Sequence, residues 1–74
     1  MKKVYINTEY ITLGQLLKYV GIVNNGGEVK SFLSQNTVKI NDVLDNRRGK
    51  KLRNGDCVEV LGAKIVVLAD KTTD

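Results

Sequence analysis

The spacing of the apolar residues changes once along this chain, close to residue 36. Between residues 13 and 33 apolar side chains recur every three or four positions, and between residues 38 and 60 they alternate with polar ones. The first pattern is typical of helices and the second of strands. Because a short alternating segment also opens the chain, we predict the order β-α-α-β-β-β. This order indicates an α+β domain in which two short helices pack on a small, mainly antiparallel sheet.

The first helix has clear signals at both ends. Thr12 and Gln15 have the spacing of a capping box, in which each side chain accepts a hydrogen bond from the other residue's backbone N–H. Gly21 stands where a helix can end in the left-handed conformation. Before this helix, residues 3–7 alternate as a short strand. The apolar face of the helix is predicted to hold Leu13, Leu16, Leu17 and Val20.

The second helix follows a turn over residues 24–27, whose two asparagines and two glycines allow the backbone to reverse. Glu28 falls in the first turn, where a carboxylate interacts favourably with the helix dipole. Asn36 is in position to cap the C-terminus. The buried stripe is predicted to hold Val29, Phe32 and Leu33.

Short strands separated by turns fill the rest of the chain. Strands are predicted at residues 38–40 and 57–60, a return strand is predicted to begin at residues 43–44, and an apolar run at residues 65–68 follows the last turn. The turns between them are predicted at Asn41-Asp42, at Asn54-Gly55-Asp56 and near Gly62. Cys57 lies in an apolar alternating stretch, and we interpret it as a small core residue rather than as a reactive thiol.

The composition excludes several kinds of active site. The 74 residues include one cysteine and no histidine. The chain can therefore form neither an internal disulfide nor a zinc site of cysteine and histidine, and it lacks the base that usually activates a serine or cysteine nucleophile. Asp42 and Asp56 are explained as turn residues. We expect a protein that is not an enzyme and has no cofactor or metal.

Length and hydropathy indicate one small domain outside the membrane. We predict a single domain over residues 1–69, followed by a polar tail over residues 70–74. The apolar run at residues 65–69 is far shorter than the roughly 20 residues that cross a bilayer. No apolar stretch of signal-peptide length follows the N-terminus, and a lone cysteine fits a reducing compartment. We expect a cytoplasmic monomer without a membrane partner.

Positive charge is concentrated in one window of the sequence. The chain has 12 Lys and Arg against 8 Asp and Glu, which gives a net charge of +4. Residues 47–53 contain five cations and no acid, so this window alone exceeds the net charge. A run of this density favours binding to a polyanion. Its cations are Arg47, Arg48, Lys50, Lys51 and Arg53.

Lysines elsewhere are expected to widen this window into a positive face. Lys18 projects from the first helix, Lys30 from the second helix, and Lys39 from the outward face of the next strand. Gly26 and Gly27 expose backbone N–H groups at the start of the second helix, where one phosphate of a polymer can be held. The lysine and hydroxyl of a Walker phosphate loop are missing from their required positions after these glycines, so a nucleotidase is not expected.

Aromatic residues are few, and we expect Phe32 to be in the core. The chain lacks the paired aromatic motif with which RRM domains stack bases. Stacking on unpaired bases is therefore predicted to be a minor mode of binding. The aromatic residues are Tyr5, Tyr10, Tyr19 and Phe32.

Several short motifs between residues 25 and 60 occur together without a gap. The second helix carries a small apolar residue, a basic residue and an apolar pair; a V-x-I-N strand and turn follows; and a Gly-Asp turn precedes the final apolar strand. The residues are Val29, Lys30, Phe32, Leu33, Asn36, the segment Val38 to Asp42, Gly55, Asp56, Val58 and Val60, with Leu13 and Leu17 agreeing in the first helix. As a set they resemble the S-four (S4) type RNA-binding domain family, also called the alpha-L motif.

Within that family the chain is similar to very small stand-alone bacterial members of the YaaA and YbcJ kind. In these, GGE opens the second helix and an RRGKKL-like segment precedes the Gly-Asp turn, as at residues 26–28 and 47–52 here. The chain differs from many members at Asn25 and Gly26, where they place Ser-Arg as RNA contacts. It also differs at Asp42, which replaces the usual turn glycine.

The resemblance implies a non-enzymatic module that holds structured RNA, such as ribosomal or transfer RNA, with the ribosome itself as a candidate partner. Shape and phosphate contacts are then expected to dominate, because duplex RNA hides its base edges in a deep, narrow groove. Two alternatives stay open at this point. One is a DNA-binding accessory protein, and the other is a protein-interaction module whose positive face docks on an acidic partner.

Overall fold

The computed structural model describes residues 1–70 as two helices and seven short strands. The helices are α1, Leu13–Tyr19, and α2, Gly26–Gln35. The strands are β1 Lys2–Ile6, β2 Ile11–Thr12, β3 Val38–Ile40, β4 Val43–Leu44, β5 Lys51–Leu52, β6 Cys57–Val60 and β7 Ala63–Ala69. Neither described helix is long and apolar enough to cross a bilayer. Apart from Asp70, the predicted polar tail lies outside the described residues.

Five of the strands form the main sheet, in the order β1-β7-β6-β3-β4. β1 and β7 run parallel, and the other neighbours run antiparallel. The predicted class, two helices on a mainly antiparallel sheet, is confirmed. A second, two-stranded sheet joins β2 to β5 and was not predicted. Its two strands have two residues each, too few to show an alternating pattern, and they are not joined by a short turn such as the one that marks residues 43–44.

One hydrophobic core joins the helices to the inner face of the main sheet. The helices contribute Leu13, Leu16, Leu17, Val29 and Leu33, and the sheet contributes Val4, Ile6, Val38, Ile40, Val58, Val60, Ile65 and Val67. Two sequence expectations need correction. Phe32 is only half-buried at the margin of the core. Cys57 is half-buried on the outer face of the sheet, because the alternation of β6 turns Val58 and Val60 inward instead.

Both ends of α1 are capped as the sequence predicts. The backbone N–H of Gln15 donates to Thr12 Oγ1 at 3.3 Å, and the backbone N–H of Thr12 donates to Gln15 Oε1 at 3.0 Å. At the other end Gly21 has a φ of +82°, and its N–H donates to the Lys18 carbonyl at 3.1 Å. The N–H of Ile22 donates to the Leu17 carbonyl at 3.0 Å, which completes a Schellman motif.

Two tight turns set the register of the sheet. Asn41 and Asp42, between β3 and β4, have φ angles of +52° and +69°, and Leu61 and Gly62, between β6 and β7, have +51° and +76°. Left-handed residues at both central positions match the twist of a two-residue hairpin. The Asn41 side chain also accepts from the Cys57 N–H at 2.9 Å. The turn predicted at residues 41–42 is therefore tied directly to the start of β6.

Candidate nucleic-acid interface

The basic segment, residues 47–53, lies across the start of α1. The backbone N–H of Leu13 donates to the Lys50 carbonyl, and that of Gly14 donates to the Arg48 carbonyl, each at 2.9 Å. These two N–H groups belong to the first turn of α1 and have no partner within the helix. The basic segment supplies their acceptors, so its position is set by main-chain hydrogen bonds rather than by its charged side chains.

Gly14 makes this close approach possible. The residue is buried, and a β-carbon there would lie 3.4 Å from both the Arg48 carbonyl oxygen and Val29 Cγ1. A methyl group would just fit, and a larger side chain would push the basic segment away. A glycine inside a helix costs up to about 1 kcal/mol relative to alanine. The close approach of the basic segment explains why a glycine occupies this helical position.

The far end of the basic segment is held by Leu52, which is fully buried in the core. Leu52 pairs with Ile11, and Lys51 pairs with Thr12, in the two-stranded sheet β2–β5. The segment is thus fixed at Arg48, at Lys50 and at Leu52. The Lys51 and Arg53 side chains, on either side of this anchor, remain exposed.

Arg47 is paired within the protein. Its Nη2 donates to Asp45 Oδ2 at 2.7 Å, and its Nε donates to Asp45 Oδ1 at 3.0 Å. This hydrogen-bonded guanidinium lowers the pKa of the Asp45 carboxyl from 3.8 to about 2, more than offsetting the opposing effect of burial. The Arg47 side chain is still 69% exposed. Part of its charge is therefore neutralised by a neighbouring carboxylate.

Arg48 is the cation that connects the two helices. On one side it borders a depression of about 270 Å³ that is also lined by Lys18, Gly26 and Gly49. On the other side it borders a depression of about 330 Å³ that is also lined by Lys30. No acidic residue in the described part of the chain lines either depression. We call Lys18, Gly26, Lys30, Arg48 and Gly49 together the basic surface.

The N-terminus of α2 opens onto this surface. The Asn25 side chain accepts from the Glu28 N–H at 3.2 Å, and Glu28 Oε1 accepts from the Asn24 N–H at 2.8 Å. These caps leave the N–H groups of Gly26 and Gly27 without an acceptor among the described residues. Gly26 has no neighbouring atom within 4 Å of the place a β-carbon would occupy. An anion can therefore approach its backbone.

The structure separates Lys39 from the other predicted cations. Val38 and Ile40 face the core, so Lys39 projects from the outer face of the main sheet. There it pairs in register with Glu59 of β6. The sequence predicts that Lys39 joins the same positive face as Lys18 and Lys30, and this prediction is wrong. The alternation of β3 turns it to the other side.

Lys50 differs from the other cations of the basic segment because it is half-buried. Lys51 and Arg53 instead meet an aromatic ring. Lys51 Nζ lies 5.0 Å and Arg53 Cζ lies 5.5 Å from the centroid of the Tyr10 ring. Both separations are within the range of a cation–π interaction. No local sequence pattern links Tyr10 to the basic segment, because their contact depends on the pairing of β2 with β5.

Comparisons with known proteins agree with this architecture. The S4 domain family matches residues 4–68. The chain is also 54% identical to the probable ribosome maturation protein RlbA of Bacillus subtilis (strain 168) over 57 residues, which are 77% of this chain and 80% of that protein. No solved structure matches significantly. The resemblance predicted from residues 25–60 is confirmed and extends over most of the described fold, and the chain belongs to the S4 domain family.

Proposed function

We propose that this protein binds structured RNA, without catalysing a reaction, through the basic surface. Phosphates of the RNA backbone are held by Lys18, Lys30 and Arg48, and the N–H groups of Gly26 and Gly27 hold one more. Lys51 and Arg53 extend the positive charge along the basic segment, beyond these four contacts. The observation that carries the proposal is the position of Arg48, which joins two depressions lined by cations from both helices.

The chemistry of the surface suits phosphate better than base edges. The planar guanidinium of Arg48 can donate two parallel hydrogen bonds to a phosphate, whereas the lysines act as point charges. Since duplex RNA presents its phosphates and 2′-hydroxyls rather than readable base edges, shape and charge dominate this recognition. The main-chain anchoring of the basic segment reduces the conformational entropy that binding would otherwise cost.

The comparisons favour RNA of the ribosome over other polyanions. RNA binding is what the S4 resemblance implies, and the Bacillus subtilis relative is described as a probable ribosome maturation protein. We therefore infer that the partner is ribosomal RNA, in a ribosome or a ribosome precursor. Such a role places the protein in the cytoplasm, where it acts as a single domain.

The proposal is tested by measuring the affinity for a structured ribosomal RNA fragment as a function of salt. Contact with about four phosphates should make log affinity fall with a slope of roughly −3 against log salt. Replacing Arg48 by Gln should reduce that slope by about one unit. Lys64→Gln, an exposed change on the outer face of the sheet, is the matched control and should leave the slope unchanged. An affinity that does not depend on salt would overturn the proposal.

A competition experiment separates RNA from the other two classes of partner. Unlabelled structured RNA should displace the bound, labelled RNA at a lower concentration than duplex DNA of equal length does. A preference for the DNA duplex would favour a DNA-binding accessory protein instead. A protein that binds neither nucleic acid, yet loses an acidic protein partner when Arg48 is changed to Glu, would be a protein-interaction module.

A further inference from the structure

A larger concave feature lies beside the basic surface, and its tyrosines play no part in the proposed contact with duplex phosphates. It is an open groove of about 940 Å³ between the end of β1, the loop at residues 7–10 and the outer side of α1. Tyr5, Tyr10 and Tyr19 all line it. These are the three tyrosines of the chain. We call this feature the tyrosine groove.

The tyrosine rings are unusually accessible. Tyr19 is 67% exposed and Tyr5 is 56% exposed, whereas Tyr10 is 36% exposed. Single exposed apolar side chains are common on protein surfaces and need no explanation. Three aromatic rings that line one groove are a different case, because together they offer flat surfaces on which another planar group can stack.

The tyrosine groove is continuous with the basic surface. Lys18 and Gln15 line both the groove and the depression that Arg48 borders. At Tyr10, the cationic groups of Lys51 and Arg53 lie 5.0 and 5.5 Å from the ring centroid. A nucleic acid whose phosphates lie along the basic surface can therefore reach the groove while its backbone stays close to positively charged side chains.

The polar groups inside the groove differ from those of the basic surface. Glu9 and Asp70 contribute carboxylates, and Asn7 and Gln15 contribute amides. Carboxylates repel phosphate, but they accept hydrogen bonds from the amino groups of bases and from ribose hydroxyls. The groove thus suits the base and sugar of a nucleotide, while the neighbouring cations suit its phosphate.

We propose that the tyrosine groove holds an unpaired nucleotide of the RNA whose paired region lies on the basic surface. The base stacks on one or more of Tyr5, Tyr10 and Tyr19, and the adjacent phosphate contacts Lys18 or the pair Lys51 and Arg53. This inference rests on the proposed RNA-binding function. It differs from the sequence expectation that base stacking is a minor mode, which rests on the absence of a paired aromatic motif.

The proposal is tested with two RNA hairpins that share one stem and differ only in a short unpaired extension. The extension should raise the affinity of the wild-type protein. Tyr19→Ala and Tyr5→Ala should each lower the affinity for the extended hairpin by about 5- to 100-fold, which is the usual effect of losing one base–aromatic stack. The same variants should bind the blunt hairpin like the wild type. Tyr19→Phe and Tyr5→Phe keep the ring and should keep most of the affinity.

Intrinsic fluorescence gives an independent measurement in the unmodified protein. The chain has three tyrosines and no tryptophan, so its aromatic emission comes mainly from residues of the groove. Stacking of a base should quench this emission when the extended hairpin binds. The blunt hairpin, at equal absorbance and equal saturation, should quench it much less.

The outcomes distinguish this inference from the proposed function. If both hairpins bind with the expected salt dependence and equal affinity, and the tyrosine variants change neither, the groove proposal is overturned while the basic surface stands. If the tyrosine variants weaken attachment to a ribosomal protein but not to the extended hairpin, the groove is a protein-docking site and the proposal is again overturned. If neither hairpin binds in a salt-dependent way, the proposed function itself fails.

Discussion

The basic surface and the outer face of the main sheet both carry exposed lysines, but these lysines have different charged neighbours on the two surfaces. On the outer face, Lys39 and Lys64 both pair in register with Glu59, which stands between them. Cross-strand pairs of opposite charge stabilise a sheet and cancel much of each other's field. On the basic surface, Lys18, Lys30 and Arg48 come from three separate parts of the chain and meet around depressions that no acidic residue among positions 1–70 lines.

The difference shows that local charge density in the sequence does not by itself determine which cations share a surface. Within the basic segment, Arg47 is paired with Asp45, Lys50 is half-buried, and Lys51 and Arg53 flank Tyr10. Arg48 is the cation that the fold joins to lysines of both helices. The main-chain hydrogen bonds to the start of α1 decide this, because they fix where Arg48 can lie.

Neutralising the three cations of the basic surface should have the largest effect on RNA binding. For Lys18→Gln, Lys30→Gln and Arg48→Gln combined, we expect the affinity at 0.1 M salt to fall about 100-fold and the salt slope to approach −1. All three side chains are exposed, so the fold should be retained. Filter binding or fluorescence anisotropy at several salt concentrations measures both quantities. A loss of RNA affinity of less than about threefold would mean that the basic surface matters no more for RNA binding than the outer face of the sheet.

Gly14→Val tests whether main-chain anchoring positions the basic segment. The added methyl groups have no room beside the Arg48 carbonyl and Val29, so we expect a loss of about 1–3 kcal/mol in the free energy of unfolding. RNA affinity should fall by the roughly five- to tenfold that one lost phosphate contact costs at 0.1 M salt. Urea denaturation and RNA titration give the two values.

Gly26→Val is the matched control for stability, because Gly26 also lies in the first turn of a helix but has open space around it. Its free energy of unfolding should change by less than about 0.5 kcal/mol. If Gly14→Val were as stable as the control and bound RNA normally, the basic segment would be positioned by its side chains instead.

Much of the fold could be predicted because its signals are local. The capping box at Thr12 and Gln15, the left-handed Gly21 and the tight turn at Asn41-Asp42 each need only neighbouring residues, and the structure confirms all three. The alternation of Val38 and Ile40 was read correctly as a strand. The same local signals gave the correct fold class.

The features that the sequence does not predict depend on contacts between residues far apart in the chain. The pairing of β2 with β5 joins residues about 40 positions apart through strands of two residues, and it brings Tyr10 to Lys51 and Arg53. Tyr5 and Tyr19 reach the same groove from a strand and from a helix end. Lys39 projects outward from its strand as predicted but does not join Lys18 and Lys30, because a period of two shows that a residue faces outward, not which other outward residues share its surface.

Asp45→Asn should sharpen the comparison by making the basic segment, which carries Arg48, more positive. The change removes the carboxylate that neutralises Arg47, so we expect RNA affinity to rise about two- to fivefold. Stability should fall slightly, and the loss should depend on pH. Since the pKa of Asp45 is lowered from 3.8 to about 2 in the folded protein, the ionised carboxylate stabilises the fold above its ordinary pKa, and this stabilisation disappears as the pH falls through the folded value.

Urea denaturation of the wild type and of Asp45→Asn over a range of pH provides the measurement. The difference in unfolding free energy should be constant from neutral pH down to about pH 5 and should then shrink toward pH 2. A difference that does not change with pH would show that the Asp45–Arg47 pair does not stabilise the fold. RNA affinity equal to that of the wild type would show that Arg47 lies outside the interface.

The smallest effect is expected on the outer face of the sheet. Replacing Lys39 and Lys64 together by Gln lowers the net charge by two, close to the change of three in the basic-surface variant. If net charge governed RNA binding, the losses of binding free energy in the outer-face and basic-surface variants would be in a ratio of about two to three. If placement governs it, the outer-face variant should change RNA affinity by less than about twofold, because its lysines lie on the opposite face of the sheet from the proposed phosphate contacts and Glu59 partly offsets their charge. A loss comparable to that of the basic-surface variant would mean that RNA wraps around the sheet edge and that both faces belong to one interface.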